Sequence, residues 1–146
     1  MSDLSMNKYE IYTLNGNTQL LDGGAMFGNA PKEMWKQWTQ VDEKNRIPLA
    51  CSCLLIKTPE GKKILFETGI GCFFEPKLKE RFGVRENHHV LLESLKANGF
   101  THEEIDAVVL SHLHFDHAGG CLSEYNPNAN PTLLFPKAKY YVSKDR

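Results

Sequence analysis

Apolar and polar residues alternate along several short segments of the chain, which is the spacing typical of β-strands. Residues 8–14 and 19–21 predict two strands near the start. Residues 49–57 and 63–67 predict two more, and the Thr58-Pro59-Glu60-Gly61 run between them has the composition of a tight turn. We therefore expect the second pair of strands to form a β-hairpin.

Helical signals lie in the segments between these strands. Pro31 suits the first turn of a short helix over residues 32–38. Asn87 can cap a second helix that runs to about residue 98, and Gly99 suits the position just beyond its end. The chain is therefore expected to alternate between strands and helices.

The later part of the chain continues this alternation. Thr101 and Glu104 have the spacing of a capping box, which predicts a short helical turn. The apolar, β-branched residues 107–110 predict a buried strand, and residues 139–143 predict the last strand. Together these elements favour an α/β (layered α+β) fold, with a mixed β-sheet and flanking helices. A chain of 146 residues suits a single domain.

Glycines and large apolar residues mark one further region, near residues 22–38. The Asp22-Gly23-Gly24 run predicts a sharp turn or a close approach of the backbone to a neighbouring group. Trp35 and Trp38 are three residues apart, so they would share one face of the predicted helix. Four apolar residues would suit the wall of a pocket for an acyl chain, and they would suit a plain core equally: Met26, Phe27, Met34 and Trp35.

Composition and charge exclude several classes of protein. The formal net charge is −1, and no basic face stands out, so we expect no nucleic-acid partner. No segment approaches the roughly 20 apolar residues that cross a bilayer, so we expect no membrane insertion. Residues 1–7 lack the basic and apolar regions of a secretory signal, which predicts a cytoplasmic location.

The cysteines and the three histidines outside residues 112–117 do not indicate a metal or redox site. The four cysteines lack the C-x-x-C spacing of a metal site, and a redox role has no supporting motif. We predict that they are free, mostly buried thiols: Cys51, Cys53, Cys72 and Cys121. We predict that three histidines are ordinary surface residues: His88, His89 and His102.

The segment after the predicted strand 107–110 contains a cluster of possible metal ligands. His112, His114, Asp116 and His117 lie within six residues, which hold half of the six histidines of the chain. Imidazole and carboxylate suit Zn²⁺, with Mn²⁺ or iron as alternatives. Since the chain turns between the two pairs, they can serve two ions about 3.5–4 Å apart, as in two-metal hydrolases. A surface histidine run without metal is the alternative interpretation.

The spacing His112-x-His114-x-Asp116-His117 resembles the signature of the metallo-β-lactamase superfamily. Upstream, residues 21–28, 31–35 and 45–50 resemble the branch of N-acyl-homoserine lactonases and organophosphate hydrolases. This similarity extends from about Tyr9 to the end of the chain.

The resemblance implies the first half of an αββα sandwich and a binuclear hydrolase. It implies His112 and His114 as ligands of the first divalent cation, and Asp116 and His117 as ligands of the second. A bridging hydroxide would be the nucleophile, and Asp116 would be catalytic, orienting the hydroxide or carrying a proton to the leaving group. The implied substrates are small lactones, esters or phosphoesters.

Two departures from the family pattern change the expected activity. Glu67 stands where the family usually has aspartate, and no histidine follows His117. The only later aspartate is Asp145, and nothing identifies it as the family's bridging ligand. Residues 1–146 are therefore expected to be a single truncated domain that binds metal weakly and hydrolyses little alone. An exposed apolar sheet face would favour self-association. The alternative is a non-catalytic chain, or half of a split protein that needs a C-terminal partner.

Overall fold

The computed structural model describes residues 8–144. Residues 1–7, for which no secretory signal was expected, and Asp145 lie outside the described residues. The strands are β1 (Glu10–Asn15), β2 (Gln19–Asp22), β3 (Arg46–Leu49), β4 (Ser52–Lys57), β5 (Lys63–Phe66), β6 (Ala107–Leu110) and β7 (Lys139–Val142). The α-helices are α1 (Gly23–Phe27), α2 (Lys32–Trp35), α3 (Pro76–Phe82), α4 (Val90–Ala97) and α5 (Phe115–Ala118).

Five strands form one mixed sheet in the order β1-β4-β5-β6-β7, and β2 pairs with β3 in a separate two-stranded sheet. β1, β4 and β5 are antiparallel neighbours, so the predicted hairpin between β4 and β5 is confirmed. β6 lies parallel to both β5 and β7. The predicted α/β fold with a mixed sheet and flanking helices is therefore confirmed. No helix among residues 8–144 is both long and apolar enough to cross a membrane.

One face of the large sheet forms the core. Leu55, Leu65 and Val108 point to this face from adjacent strands and are fully buried. Leu91 and Leu95 from α4 pack on them and are also fully buried. The four-residue spacing of these two leucines places both on one side of the helix, so α4 is held by burial of a single apolar stripe.

The start of α4 differs from the prediction. Asn87 does not cap the helix, which begins at Val90. The cap comes from Asn17, a fully buried residue whose side-chain oxygen accepts the Val90 N–H at 3.1 Å. The amide nitrogen of Asn17 donates to the His88 carbonyl at 2.7 Å. Because Asn17 is distant in sequence, no local signal could reveal this cap. Gly99, with φ of 82°, follows the end of the helix as predicted.

Of the two alternatives for the Asp22-Gly23-Gly24 run, the close approach is the one observed, since the run begins α1 and does not form a sharp turn. Asp22 caps that helix by accepting the Ala25 N–H at 2.9 Å. A Cβ at Gly23 would lie 2.4 Å from the Trp35 ring, so glycine is needed here for close packing. α2 ends at Trp35, earlier than predicted, and Trp38 is 64% exposed. The two tryptophans therefore do not share one buried face.

The opposite face of the large sheet is apolar and open. The strand registers align two rows across it, namely Thr13, Leu54, Phe66, Val109 and Tyr141, and Ile11, Ile56, Ile64, Ala107 and Lys139. We call these two rows the outer face. All of its residues are partly or fully exposed, so this face has no covering layer within the described residues. Exposed apolar surface of this extent marks an interaction surface.

Asp106 precedes β6 and accepts hydrogen bonds from the first residues of β5 and β7. Its substitution is expected to destabilise the sheet in a pH-dependent way. Its carboxylate accepts the Lys63 N–H at 2.9 Å and the ammonium groups of Lys137 and Lys62 at 3.0 and 3.3 Å. The Lys63 N–H and these cations lower the pKa of Asp106 to about 2. The stabilisation is therefore complete above the ordinary pKa of 3.8 and is lost as the pH falls toward 2.

Asp106→Asn is accordingly expected to lower the free energy of unfolding by about 2 kcal/mol at pH 7, because charge-assisted hydrogen bonds are lost. Urea denaturation at pH 7 and at pH 2–3 measures this effect. The difference between variant and parent should shrink at the lower pH. Glu103→Gln, at an exposed position nearby, is the control. An equal difference at both pH values would contradict the role of the carboxylate.

Candidate metal centre

The predicted ligands lie where β6 leaves the sheet. His112 and His114 lie in the loop after the strand, and Asp116 and His117 lie in α5. The His112 ring centroid is 4.6 Å from that of His114 and 4.1 Å from that of His117. The sequence cluster is therefore also a spatial cluster at the rim of the sheet.

Glu67 fixes the orientation of His117. One carboxylate oxygen of Glu67 lies 3.2 Å from His117 Nδ1. An ionised carboxylate only accepts hydrogen bonds, so in the neutral ring Nδ1 is the donor to Glu67 and Nε2 is the nitrogen left for a ligand. That Nε2 lies 3.8 Å from Asp116 Oδ2. A histidine whose second nitrogen donates to a carboxylate is the usual arrangement of a metal ligand.

Glu67 also holds the loop that carries the histidines. Its other carboxylate oxygen accepts the Ser111 N–H at 2.9 Å. The Glu67 backbone has φ of 61°, a left-handed conformation that is rare for a residue with a side chain. Such strain persists where the surroundings fix it, commonly at functional sites. The longer side chain that replaces the family's aspartate therefore still bridges the strand end and His117.

Close backbone packing positions α5. Both the N–H and the hydroxyl of Thr68 donate to the His117 carbonyl, each at 2.9 Å. Gly120 N–H donates to the Gly69 carbonyl at 2.8 Å. A Cβ at Gly120 would lie 1.9 Å from the Thr68 carbonyl oxygen, so glycine is required for this contact. On the other side, the Phe115 ring packs on the Phe82 ring of α3 at 4.3 Å.

The four predicted ligands offer donor atoms of the kinds that bind divalent cations. Within residues 8–144, no three histidine, cysteine, aspartate or glutamate side chains are arranged to hold one ion together. Neutral imidazole and carboxylate are nonetheless the ligands that zinc takes, and Glu67 has already oriented one imidazole for that role. The described side chains therefore provide donors for a metal centre without completing the three-ligand set typical of catalytic zinc.

His89 was predicted to be a surface residue, and this prediction is wrong. It is only 3% exposed, and its Nε2 lies 3.0 Å from the Gly120 carbonyl oxygen. Burial lowers the pKa of His89, which favours the neutral ring. His88 is exposed as predicted, and His102 is partly exposed.

Gln19 is a site residue that the sequence did not reveal. It begins β2, is 3% exposed, and its Nε2 lies 3.5 Å from Asp116 Oδ2. Its Oε1 is buried without a hydrogen-bond partner among the described residues. The predicted strand over residues 19–21 was correct, but nothing in that pattern indicated a polar side chain directed toward α5.

The cysteines are free and buried, as predicted. Burial raises the pKa of Cys53 and of Cys72 to about 12, and it also raises the pKa of Cys51 and Cys121. The thiolate is the reactive form of cysteine, so these groups stay unreactive thiols near neutral pH. A redox role for Cys51 and Cys53 gains no support.

The apolar residues proposed for an acyl pocket divide into two groups. Trp35 is buried, and the Phe27 ring stacks on it with centroids 5.0 Å apart. Met26 and Met34 are about half exposed, at 47% and 53%. Trp35 therefore belongs to the packing of α1 and α2, whereas the two methionines are accessible for contact with a ligand or partner.

Known proteins share both the sequence pattern and this fold. Residues 46–140, well over half of the chain, match the metallo-beta-lactamase superfamily. The chain therefore belongs to the metallo-beta-lactamase superfamily. It is 28% identical over 114 residues to an N-acyl homoserine lactonase from Bacillus cereus. That match covers 70% of this chain and 42% of the relative.

Solved structures agree with this assignment. A probable metal-dependent hydrolase from Staphylococcus aureus superposes with a TM-score of 0.79 at 33% identity, over 94% of this chain and 47% of that protein. AidC, a dizinc quorum-quenching lactonase in complex with its product N-hexanoyl-L-homoserine, superposes with a TM-score of 0.65 at 30% identity, over 94% of this chain and 42% of AidC. The chain thus spans less than half the length of these relatives. The predicted family is confirmed.

Proposed function

We propose that this chain supplies the first four ligands of a binuclear metal-dependent hydrolase that opens lactones. His112 and His114 would bind the first cation, and Asp116 and His117 would bind the second. The observation that carries this proposal is the Glu67–His117 contact at 3.2 Å, which leaves His117 Nε2 free beside Asp116. Zinc is the metal we favour, since AidC is a dizinc enzyme, with Mn²⁺ or iron as alternatives.

The chemistry follows from the ligands and their surroundings. When bound, two such cations supply hydroxide at neutral pH and polarise the carbonyl or phosphoryl oxygen of the substrate. Asp116 is the residue we assign to orient the attacking oxygen and to pass its proton to the leaving group. Glu67 keeps His117 in the ligating tautomer, and Thr68 holds the backbone of α5 in place.

The lactone class rests on the relatives. The Bacillus cereus protein and AidC are both lactonases. Esters and phosphoesters are the alternative substrate classes, since their hydrolysis uses the same attack on a polarised centre. The exposed Met26 and Met34 would suit contact with an acyl chain.

A substrate panel tests this function. The Zn²⁺-saturated chain is assayed on an N-acyl-homoserine lactone, an aryl ester and a phosphotriester, with and without a chelator. We expect slow lactone opening that the chelator removes, since two ligands per ion fall short of the three typical of catalytic zinc. Preference for the ester or phosphotriester would reject the lactone class. Inactivity on all three with metal bound would favour a non-catalytic chain.

Glu67→Gln is expected to weaken metal binding without unfolding the chain. The amide can donate to His117 Nδ1, which would shift the ring proton to Nε2 and block that ligand. Removing such an outer hydrogen bond typically lowers metal affinity about 10–100-fold. Zn²⁺ competition against a chromophoric chelator measures the affinity, and Glu103→Gln is the matched control at an exposed position. Unchanged affinity would contradict the orienting role of Glu67.

We further propose that residues 1–146 form one domain that lacks the rest of the ligand set. The family's third histidine, bridging aspartate and final histidine would then come from another chain or segment. Two alternatives are that the chain is half of a split protein that needs a C-terminal partner, or that it is a non-catalytic chain. The open outer face supports this proposal, because a partner half would have an apolar surface to cover. The cytoplasmic location stays a prediction.

Self-association through the outer face is expected in the isolated chain. In analytical ultracentrifugation, the weight-average mass should rise with concentration above the monomer mass of 16.6 kDa. Ile56→Lys places a charge in the middle of the outer face and should keep the chain monomeric. Met34→Lys, at an exposed apolar residue on α2, is the control that should still associate. Association of Ile56→Lys equal to that of the parent would assign the contact to another surface.

A further inference from the structure

Gln19 is a buried polar residue whose side-chain hydrogen-bonding groups are not fully paired within the described residues. It is 3% exposed, yet its Oε1 has no hydrogen-bond partner among residues 8–144. Its Nε2 has only a long contact, 3.5 Å, to Asp116 Oδ2. A buried acceptor without a donor destabilises a protein by about 1–3 kcal/mol. A residue of this kind is expected where function requires it.

The backbone around Gln19 is fixed from two sides. The N–H and hydroxyl of Thr18 donate to the two carboxylate oxygens of Glu86, at 2.8 and 2.6 Å. The Arg85 N–H donates to the Thr18 carbonyl at 3.1 Å. Gln19 itself pairs with Leu49 across the two-stranded sheet. The side chain is therefore placed beside Asp116 by a rigid frame, as a positioning residue requires.

We propose that Gln19 is a positioning residue for Asp116, and that its unpaired carbonyl accepts a hydrogen bond from water bound at the metal centre. The orientation of the amide follows from the partner, since only its NH₂ end can donate to an ionised carboxylate. This donation would fix the orientation of the Asp116 carboxylate beside His117. The free Oε1 would then find its donor only in the metal-loaded state. The inference rests on the proposed metal-binding function.

The test separates this role from a merely structural one. Gln19→Met keeps the length of the side chain and removes both polar atoms. Co²⁺ titration, followed by the visible absorption spectrum of the bound ion, reports affinity and coordination, and a thermal melt of the metal-free chain reports stability. Gln37→Met, at an exposed glutamine on the chain after α2, is the matched control.

For Gln19→Met we expect Co²⁺ affinity to fall about tenfold, as for other outer hydrogen bonds to metal ligands, with an altered spectrum. The metal-free variant should melt at the parent's temperature or above it, because an unsatisfied buried acceptor is removed. A Co²⁺ affinity and spectrum equal to those of the parent would overturn the inference. A lower melting temperature of the metal-free variant would also overturn it, because loss of folded protein would then explain the weaker binding. If the parent itself binds no Co²⁺, the proposed function fails and the inference fails with it. Binding by the parent that Gln19→Met leaves unchanged overturns the inference alone.

Discussion

Gly120→Ala is expected to lower the free energy of unfolding by about 3 kcal/mol or more, because the added methyl group has no space. Its Cβ would lie 1.9 Å from the Thr68 carbonyl oxygen and 2.8 Å from the carbonyl carbon. Both atoms belong to the backbone, so rotation of a side chain cannot relieve the clash. The segments after β5 and after α5 would have to separate. That movement would break the hydrogen bond from Gly120 N–H to Gly69 and disturb those from Thr68 to His117.

Urea denaturation of Gly120→Ala measures this loss, and Gly61→Ala is the control. Gly61 has φ of 82° in the hairpin turn, and a methyl group added there would have no atom within 4 Å. Alanine at this position carries only the cost of a left-handed backbone, about 1–2 kcal/mol. A loss at Gly120 no larger than that at Gly61 would mean that the two segments can move apart easily.

Much of the fold follows from local pattern. Residues 107–110 are continuously apolar, with β-branched Val108 and Val109 at their centre, and they form β6, which leads directly into the loop that carries His112 and His114. The turn composition of residues 58–61 correctly predicted the hairpin of β4 and β5. The capping box of Thr101 and Glu104 is also present as predicted. In each case the signal lies within the element itself, so tertiary contacts did not need to be known.

α3 and β3 also have local signals, although neither element was predicted. Pro76 stands at the first turn of α3, and Gly83, with φ of 63°, ends that helix. This is the usual asymmetry of proline at the start and glycine at the end of a helix. β3 was not predicted, since the predicted strand over residues 49–57 includes only its last residue, Leu49. Pro48 within β3 is tolerated because both strands of this two-stranded sheet are edge strands.

The remaining features depend on contacts between distant parts of the chain. The cap of α4 comes from Asn17, and the partner of His89 is the Gly120 carbonyl. Gln19 meets Asp116 only because β2 is held against the loop before α4. The metal motif itself could be predicted because its four ligands are close in sequence. Among the residues that orient those ligands, Glu67 was noted only through the family resemblance. Gln19 had no local signal, since it comes from another element.

His114→Ala is expected to remove metal from the first position while leaving the fold intact. His114 is exposed in the loop after β6, so its side chain contributes little to packing. Its loss leaves the first cation with a single protein ligand, His112, where catalytic zinc typically has three. The affinity should therefore fall by more than the roughly 10–100-fold that an outer hydrogen bond contributes.

Equilibrium dialysis against Zn²⁺ followed by elemental analysis measures this loss, with His88→Ala as the control. His88 is also exposed, and its ring faces Glu93 at 3.3 Å, away from the motif. We expect the parent and His88→Ala to bind Zn²⁺ weakly and His114→Ala to lose this binding. That result would place the ion at the His112–His117 motif, and the remaining ligands would have to come from another chain or segment. Two tightly held ions per parent chain would mean that the site is completed without a partner half, through self-association or further ligands of this chain. Metal content unchanged in His114→Ala would reject His114 as a ligand, and with it the two-pair arrangement on which the proposed hydrolysis depends.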